Sequence, residues 1–337
     1  MADAFDVGVG AHRAMSDWCG WPVVDEHVGW EDAQQVLTDA GLSDGLPLVP
    51  PTRRRLEAMV AGTRDRSESR GAMPPMFGDL APDAVAYQCV IAGALPAELP
   101  VVLAAAQATL EPDFNLLGIA TTTGTACVAL CIHGPVARKL NVNAGTNCLG
   151  PGNRANATIG RALQLVIRNV GGAQPEIGDM ATMGQPGKYT LCFAERNDGP
   201  FPTLAARRGL ASDANAVTVM GISGTAEVLP GDGEGASPEA ILSPIATAMK
   251  AAIVTSGMGR KNERGEQAFL LPLEMAEKIV RHDGWNVARV QQYLFDEGQG
   301  VARAPDSIHP IVTGGAGYKM SYLPIWGGGS QTVTRLL

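Results

Sequence analysis

The stretch from Thr121 to Arg168 reads TTTGTACVALCIHGPVARKLNVNAGTNCLGPGNRANATIGRALQLVIR and contains the pattern that decides the fold. An apolar run over residues 126–132 predicts a buried strand, a Gly-rich loop follows, and residues 153–170 predict a helix with one apolar face. A strand that leads through such a loop into a helix is typical of α/β proteins. Three of the six cysteines and one of the five histidines also lie here, so this is the first place to look for a functional site.

The two sides of this stretch differ in their patterns. Residues 1–112 are predicted to be a mainly helical N-terminal region, and residues 113–337 are predicted to be a body in which strands and helices alternate between Gly-rich loops. The predicted helices cover residues 30–41, 53–61, 82–93, 96–111, 153–170, 238–256, 272–282 and 286–297. The predicted strands cover residues 115–121, 126–132, 188–194, 215–222 and 308–313. The sequence therefore predicts an α/β fold in which a helical N-terminal part precedes a mixed α/β body that carries the site.

The composition of the chain excludes several classes of function. Of its 337 residues, 45% are hydrophobic and 18% are charged, which is enough to bury a sizeable core. The net charge of −8 argues against nucleic-acid binding, because phosphate neutralisation needs a basic face. The sequence has no apolar run long enough for a membrane span, no signal-peptide pattern and no disulfide framework. We therefore expect a cytoplasmic protein that binds neither nucleic acid nor membranes.

Side chains of the predicted strand 126–132 and the residue after it form the first candidate site. Because side chains alternate between the two faces of a strand, Cys127, Cys131 and His133 are predicted to share one face. A thiol beside an imidazole is a nucleophile–base pair, so Cys131 and His133 are candidate catalytic residues. Two alternatives are open: the thiols are packed core residues, or they hold zinc or iron together with His133 and Cys148. The favoured hypothesis assigns no metal and no other cofactor.

The Gly-rich loop before the helix is the second candidate site. Asn153 is a good N-cap, and the free N–H groups of a helix start favour anions. Arg154 would add a bidentate partner for a carboxylate or phosphate, and Asn143 and Asn147 lie on the approach to the loop. These four residues are therefore candidate substrate ligands, with an ordinary capped turn as the alternative. We expect the Cys–His row and Arg154 to face a common hollow.

Two further segments supply polar candidates. Lys188 and Glu195 flank the predicted strand 188–194 and could form an acid–base pair, with a surface salt bridge as the alternative. The glycine-rich segment 314–319 ends at Lys319, a candidate substrate ligand where the backbone could approach a small molecule closely. A flexible loop without a chemical role is the alternative for this segment.

Several motifs together resemble a known family. They are DGLPLVPPT at residues 44–52, RANATIGRA at residues 154–162, GKY at residues 187–189 with CFAE at residues 192–195, and a Gly-Gly-x-Gly segment near the end of the chain. This set is similar to a largely uncharacterised bacterial family associated with UGSC-motif proteins, which carry a Sec/Cys-Gly-Ser-Cys sequence. The resemblance spans residues 30–337, and the motif at residues 154–162 is its most specific part.

The chain departs from the family pattern at polar positions. It has His133-Gly134-Pro135 where relatives read Asn-Gly-Pro, and Arg196 and Asn197 where they carry acidic residues. It also has Tyr318-Lys319-Met320-Ser321 where they have Lys-His-Ser. The resemblance implies a shared scaffold and a small-molecule role, and the departures suggest a specialised member in secondary metabolism.

The favoured functional hypothesis is an enzyme of the lyase or hydrolase type without a nucleotide. It would convert a small polar or anionic metabolite by hydrolysis, elimination or rearrangement. The alternatives are a non-catalytic or half-site subunit that works with a UGSC-type thiol or selenol protein, and a Cys/His metalloenzyme. A homo-oligomer is expected, because the Ala-rich apolar helices within residues 84–111 exceed what one chain needs to bury.

Overall fold

The computed structural model describes residues 17–231, 236–254 and 265–337. The fold is α/β, with helices on both sides of two mixed four-stranded sheets. Up to residue 121 the elements are β1 (Asp17–Trp18), β2 (Trp21–Pro22), α1 (Trp30–Asp39), α2 (Arg53–Met59), β3 (Ala72–Met73), β4 (Gly78–Asp79), α3 (Pro82–Ala92), α4 (Leu99–Thr109) and α5 (Leu116–Thr121). Over the described residues of the predicted helical N-terminal region, four helices alternate with short strands and irregular segments, and residues 1–16 lie outside the described part.

The rest of the chain supplies eight further strands and six further helices within the described residues. Up to residue 231 they are β5 (Cys127–His133), α6 (Pro135–Lys139), α7 (Arg154–Leu165), β6 (Cys192–Ala194), α8 (Leu204–Arg207), β7 (Ala216–Ile222) and β8 (Ala226–Val228). After it they are α9 (Pro238–Val254), β9 (Gln267–Leu271), α10 (Leu273–Val280), α11 (Val287–Gly298), β10 (Ile308–Val312), β11 (Met320–Pro324) and β12 (Val333–Leu336). Short 3-10 turns and a π-helical turn at Val166–Val170 complete the described chain.

The two four-stranded sheets repeat one arrangement. Sheet A has the order β12-β7-β5-β6, and sheet B has the order β8-β11-β9-β10. In sheet A, β5 is parallel to β6 and antiparallel to β7; in sheet B, β9 is parallel to β10 and antiparallel to β11. The next strand of each half then crosses over, because β8 pairs with β11 and β12 pairs with β7. The sheets are therefore joined by an exchange of edge strands.

The sheets pack face to face, which gives four layers. On the outer face of sheet A, Val128, Leu130 and Ile132 share a core with α3, α4 and α7. Between the sheets, Cys127, Ala129 and Cys131 pack against side chains of β9, β10 and β11; we call this the inter-sheet core. On the outer face of sheet B, a third core contains α9, α10 and α11. The alternation of side chains along β5 thus sends one set to the helices and the other to the second sheet.

The fold corrects some predicted elements. Residues 115–121 form a helix, not a strand, because the Asn115 side chain accepts a hydrogen bond from the Gly118 N–H and caps α5. The predicted strand 188–194 is limited to Cys192–Ala194, since Pro186–Lys188 forms a 3-10 turn. Strands β8, β9, β11 and β12 were not predicted. The predicted strands 126–132, 215–222 and 308–313 are confirmed within one or two residues.

The predicted long helices also agree with the structure. The helix predicted over residues 153–170 begins at Arg154 and ends in the π-helical turn. The helix predicted over residues 238–256 is present from Pro238, and its residues 255 and 256 lie outside the described part. Among the described residues, no helix combines the length and apolarity that a bilayer crossing requires.

Candidate functional site

Strand β5 presents its predicted row of side chains to the inter-sheet core. Cys127 and Cys131 lie there, and His133 points the same way at the end of the strand. Along a strand, positions four residues apart have Cα atoms about 13 Å from each other, so the two cysteines face different surroundings. Cys127 lies at the edge of a cleft, whereas Cys131 and His133 are covered on all sides. The three side chains therefore share one face of β5 as predicted, but Cys127 borders the cleft while Cys131 and His133 lie in the buried interior.

The cleft beside Cys127 has a volume of about 790 Å³. Apolar side chains of α5, of the start of β5 and of residues 173–183 form part of its wall. The polar side chains come from the loop before α2, from α7 and the π-helical turn after it, and from residues 176–189. The polar and charged side chains that line it are Asp44, Gln164, Arg168, Glu176, Asp179, Gln185, Lys188 and Tyr189. A cleft with one apolar wall and a few convergent polar groups is the usual form of a small-molecule site.

An ion pair of Lys188 and Asp179 stands in this wall. The Lys188 Nζ lies 2.7 Å from Asp179 Oδ1 and 2.5 Å from Oδ2. The two side chains are 22% and 18% exposed, so the pair is shielded but still reachable. Lys188 is positioned by the 3-10 turn Pro186–Lys188, and Asp179 Oδ1 also accepts a hydrogen bond from the Ala181 N–H. Lys188 thus lies in the cleft, as a catalytic candidate should, although its partner is Asp179 and not Glu195.

The thiol of Cys127 lies at the inner edge of the cleft. Burial raises the pKa of this thiol to about 12, although the charge of Lys188 lowers it. The group is therefore a neutral thiol at ordinary pH, which can donate a proton but is a poor nucleophile. Gln185 fixes the wall beside it by donating to the carbonyl oxygens of Thr125 and Ile222.

Cys131, His133 and Glu195 form a second cluster, which is sealed inside the protein. Ile132 pairs with Ala194 across β5 and β6, so the next residues, His133 and Glu195, lie side by side. Their donor atoms and the Cys131 sulfur all lie within 4.8 Å of one another. The structure therefore brings together three of the four predicted catalytic residues, but it places them away from the cleft.

Two members of this buried cluster, His133 and Glu195, have hydrogen-bond partners outside it. The His133 Nε2 lies 2.7 Å from Thr218 Oγ1, and Glu195 Oε2 accepts a hydrogen bond of 2.8 Å from the Leu204 N–H at the start of α8. The His133 Nδ1 lies 2.9 Å from Glu195 Oε2 without the alignment of a hydrogen bond. Burial raises the pKa of the Cys131 thiol well above its usual range, and the charge of Glu195 raises it further.

A polar network continues from this cluster to a second histidine. Thr218 Oγ1 lies 2.7 Å from Thr334 Oγ1, and Arg208 donates to Thr334 and Thr332. The Thr332 hydroxyl in turn donates to Glu266, whose Oε2 lies 3.1 Å from His309 Nε2. Sequence reasoning missed Glu266, because it precedes a strand that was not recognised. In the sequence, His309 lies between apolar residues of the predicted strand 308–313. Because side chains alternate between the two faces of a strand, this pattern could have predicted that His309 faces the inter-sheet core.

The asparagines predicted to bind substrate build the loop itself. Asn143 Oδ1 accepts from the Gly145 N–H, and Asn147, at φ 59°, donates from its amide to the Pro151 carbonyl. Asn153 caps α7 by accepting from the Asn156 N–H. In this conformation all three side chains are occupied by local turn and cap hydrogen bonds, which was the stated alternative.

The two predicted cationic ligands also have partners. Arg154 Nη2 lies 2.7 Å from Glu98 Oε1, and the Glu98 side chain is fully buried. The Lys319 Nζ, just before β11, lies 3.3 Å from Glu227 Oε1 of β8 in an exposed pair. Among the described residues that line the cleft, Lys188 is present, whereas Cys131, His133 and Arg154 are absent. The expectation that His133 and Arg154 face a common hollow is therefore wrong. The Arg154 side chain pairs with Glu98, and His133 is enclosed between the two sheets.

Comparison with protein-family models gives no match for this chain, and comparisons with curated proteins and with solved structures give no significant similarity.

Proposed function

We propose that this protein is an enzyme that converts a small polar or anionic metabolite by hydrolysis, elimination or rearrangement, and that the cleft beside Cys127 binds that metabolite. One observation carries the proposal: the ion pair of Lys188 and Asp179 and the thiol of Cys127 line the same cleft of about 790 Å³. The resemblance of the sequence to the UGSC-associated family also implies a role with a small molecule.

Lys188 and Asp179 can divide the proton transfers of such a reaction. The Lys188 ammonium has three N–H donors, and it can turn one toward a substrate carbonyl, carboxylate or leaving group. The Asp179 carboxylate can accept a proton from the substrate or from an attacking water. Because the pair is largely shielded from solvent, its electrostatic effect on a bound substrate is stronger than in water.

The apolar wall indicates the other half of the substrate. Leu116, Ile119, Met180 and Met183 line the same cleft as the polar groups. A molecule with an apolar body and one anionic or carbonyl group would bury its body on this wall and direct its polar end to Lys188. We therefore propose an amphiphilic small acid or amide as the substrate class.

Conversion of an extracted metabolite mixture tests this proposal. The purified protein is incubated with small metabolites from bacterial cells, and mass spectrometry records which compounds disappear. We expect at least one compound to be consumed, and the K188M variant to lower that rate by at least about 100-fold. The K139M variant, which changes an exposed lysine on α6, serves as the matched control. No consumed compound in extracts from several growth conditions, or equal rates for K188M and the wild type, would overturn the proposal.

A second candidate function, the half-site subunit, is favoured by the surface around the cleft. Ile177, Met180, Met183 and Tyr189 are all exposed on the segment that borders it. Exposed apolar side chains in one segment suggest a protein–protein contact, here with a UGSC-type thiol or selenol protein. In that case the protein alone would convert nothing, and the mixture of both proteins would.

The homo-oligomer expected from the sequence requires an exposed apolar surface, and the residues around the cleft provide one. Helices α3 and α4, whose apolar character suggested an interface, are buried inside the chain against α7 and sheet A. We therefore propose that any homo-oligomer forms through the exposed apolar side chains within residues 177–189. Light scattering of the wild type and of a variant with Met180→Ser and Met183→Ser tests it: an equal mass for both would exclude this segment as the interface.

A further inference from the structure

We propose that Cys131, His133 and Glu195 form a binding site for a divalent transition-metal ion, with zinc as the ion that fits best. This inference is independent of the cleft and of the reaction proposed for it. It also differs from the metal hypothesis drawn from the sequence, because Glu195 is a ligand and Cys127 and Cys148 are not.

The spacing of the three donor atoms fits a metal ion. The Cys131 Sγ, a ring nitrogen of His133 and a carboxylate oxygen of Glu195 lie within 4.8 Å of one another. Ligand atoms around tetrahedral zinc stand roughly 3–4 Å apart, because Zn–S bonds are about 2.3 Å and Zn–N or Zn–O bonds about 2.0–2.2 Å. Small side-chain rotations would therefore bring the three donors to bonding distance, and one position would remain for a fourth ligand.

The unpaired nitrogen of His133 is the second argument. His133 is only 1% exposed, yet its Nδ1 makes no hydrogen bond within the described chain while facing Glu195 Oε2 at 2.9 Å. When the ring hydrogen is on Nε2, Nδ1 is a lone pair, and a buried lone pair that faces a carboxylate is unfavourable unless a cation lies between the two atoms. A metal ion at this point would bind both atoms.

The surroundings of His133 provide the third argument. Its Nε2 lies 2.7 Å from Thr218 Oγ1, and that hydroxyl lies 2.7 Å from Thr334 Oγ1. If Nε2–H donates to Thr218, and Thr218 donates to Thr334, which also accepts from Arg208, then Nδ1 carries no hydrogen and is free to bind a metal. Metal-binding histidines are commonly oriented in this way by an acceptor on the second ring nitrogen.

Charge and donor type complete the argument. A thiolate and a carboxylate carry two negative charges. The Arg207 guanidinium interacts with both groups, and a divalent cation bound between them would neutralise them directly. Sulfur, nitrogen and oxygen donors together suit zinc, whereas magnesium and calcium prefer oxygen alone. The second buried pair, Glu266 with His309, has the same carboxylate and imidazole but, among the described residues, it is not part of a group with metal-ligand spacing. It therefore supplies a control within the same molecule.

Cobalt(II) and zinc binding by the whole protein test the site. The protein is stripped with a chelator, shown by circular dichroism to remain folded, and titrated with cobalt(II). We expect one equivalent to bind with a thiolate-to-cobalt absorption band, zinc to displace it, and X-ray absorption of the zinc form to show one sulfur among nitrogen and oxygen ligands.

Conservative variants locate the ligands. The C131S and E195Q variants should each weaken cobalt binding by at least about 100-fold, and C131S should also abolish the thiolate band. Two control variants should bind cobalt like the wild type: C89S, which changes a buried thiol of α3, and E266Q. Binding of less than about 0.2 equivalents by the folded wild type, or a zinc spectrum without sulfur, would overturn the proposal. The X-ray absorption result holds even if a variant fails to fold, because it uses only the wild-type protein.

Discussion

Gly187 packs directly against the sulfur of Cys127. A Cβ atom at position 187 would lie 2.6 Å from the Cys127 Sγ, which is closer than carbon and sulfur can approach without displacement. Gly187 belongs to the 3-10 turn that carries Lys188, so this contact sets how closely that turn sits over the start of β5. The thiol and the lysine of the cleft are therefore placed together by the absence of one side chain.

This contact predicts a destabilised variant and its rescue. Gly187→Ala should lower the free energy of unfolding by about 1–3 kcal/mol, because the added methyl group overpacks a filled site. Adding Cys127→Ala should restore most of that loss, since it removes the sulfur that the methyl group meets. Chemical denaturation of the two single variants and the double variant measures the coupling. Additive effects of the two changes would show that the clash is relieved elsewhere.

Arg154 and Glu98 supply a prediction that separates stability from activity. Arg154→Met leaves the fully buried Glu98 carboxylate without its cation, so it should lower the free energy of unfolding by about 1–2 kcal/mol. Because Arg154 does not line the cleft, turnover of the identified substrate should change by less than about threefold. Thermal denaturation and initial rates measure the two effects. A large loss of turnover at unchanged stability would restore Arg154 as a substrate ligand.

The sequence predicted the parts of the site that depend on local pattern. The face shared by Cys127, Cys131 and His133 follows from the period of a strand, and the strand is where the apolar run placed it. The pairing of Glu195 with His133 depends instead on the register of β5 and β6, which a single sequence does not specify. The partnership of Lys188 with Asp179 was missed for a similar reason, because it forms within an irregular segment between two elements.

The exchange of β8 and β12 between the sheets was beyond reach of the sequence pattern. Each is a strand of three or four residues in which most side chains are exposed or half-buried, so neither carries a clear period-two signal. Their pairing decides that the two sheets are linked, and the pairing of β12 also places Thr334 beside Thr218, the partner of His133. The α/β class was predictable from alternating elements, whereas the packing of one sheet on the other was not.

The motifs behind the family resemblance hold the scaffold together. Arg161, in the motif at residues 154–162, binds Asp44 of the motif at residues 44–52 through two hydrogen bonds of 2.7 and 2.8 Å. Arg161 also donates to the carbonyl oxygens of Leu46 and Pro47. Burial raises the pKa of Asp44, but its hydrogen bonds with Arg161 more than offset this and lower the pKa below the ordinary value.

A double-mutant cycle checks this link. Asp44→Asn and Arg161→Met should each lower the free energy of unfolding by about 2–4 kcal/mol, because each leaves a largely buried charge without its partner. The double variant should lose less than the sum of the two, with a coupling of at least about 1 kcal/mol. Urea denaturation at neutral pH measures all four proteins. A coupling near zero would show that the two motifs contribute independently.

Glu266 predicts a specific dependence of stability on pH. Burial by itself raises the pKa of this carboxyl, but the interactions with His309 and the hydrogen bonds from Thr332 outweigh it and lower the pKa to about 2 from an ordinary value of 4.5. A carboxyl with a lowered pKa in the folded state stabilises the fold above its unfolded pKa, and this contribution is lost as the pH falls toward the folded pKa. The shift corresponds to about 3 kcal/mol, all of it present above pH 4.5 and lost between about pH 4.5 and pH 2.

The Glu266→Gln variant isolates this contribution from that of the other carboxyls. Between about pH 4.5 and pH 2 the wild type should lose about 3 kcal/mol more stability than E266Q. Urea denaturation across this range measures the difference, and Glu31→Gln, which changes an exposed carboxyl on α1, should follow the wild type. Parallel curves for E266Q and the wild type would mean that Glu266 titrates alike in the folded and unfolded chains. The polar network between the sheets would then orient the side chains around Glu266 without making the stability of the fold sensitive to acid.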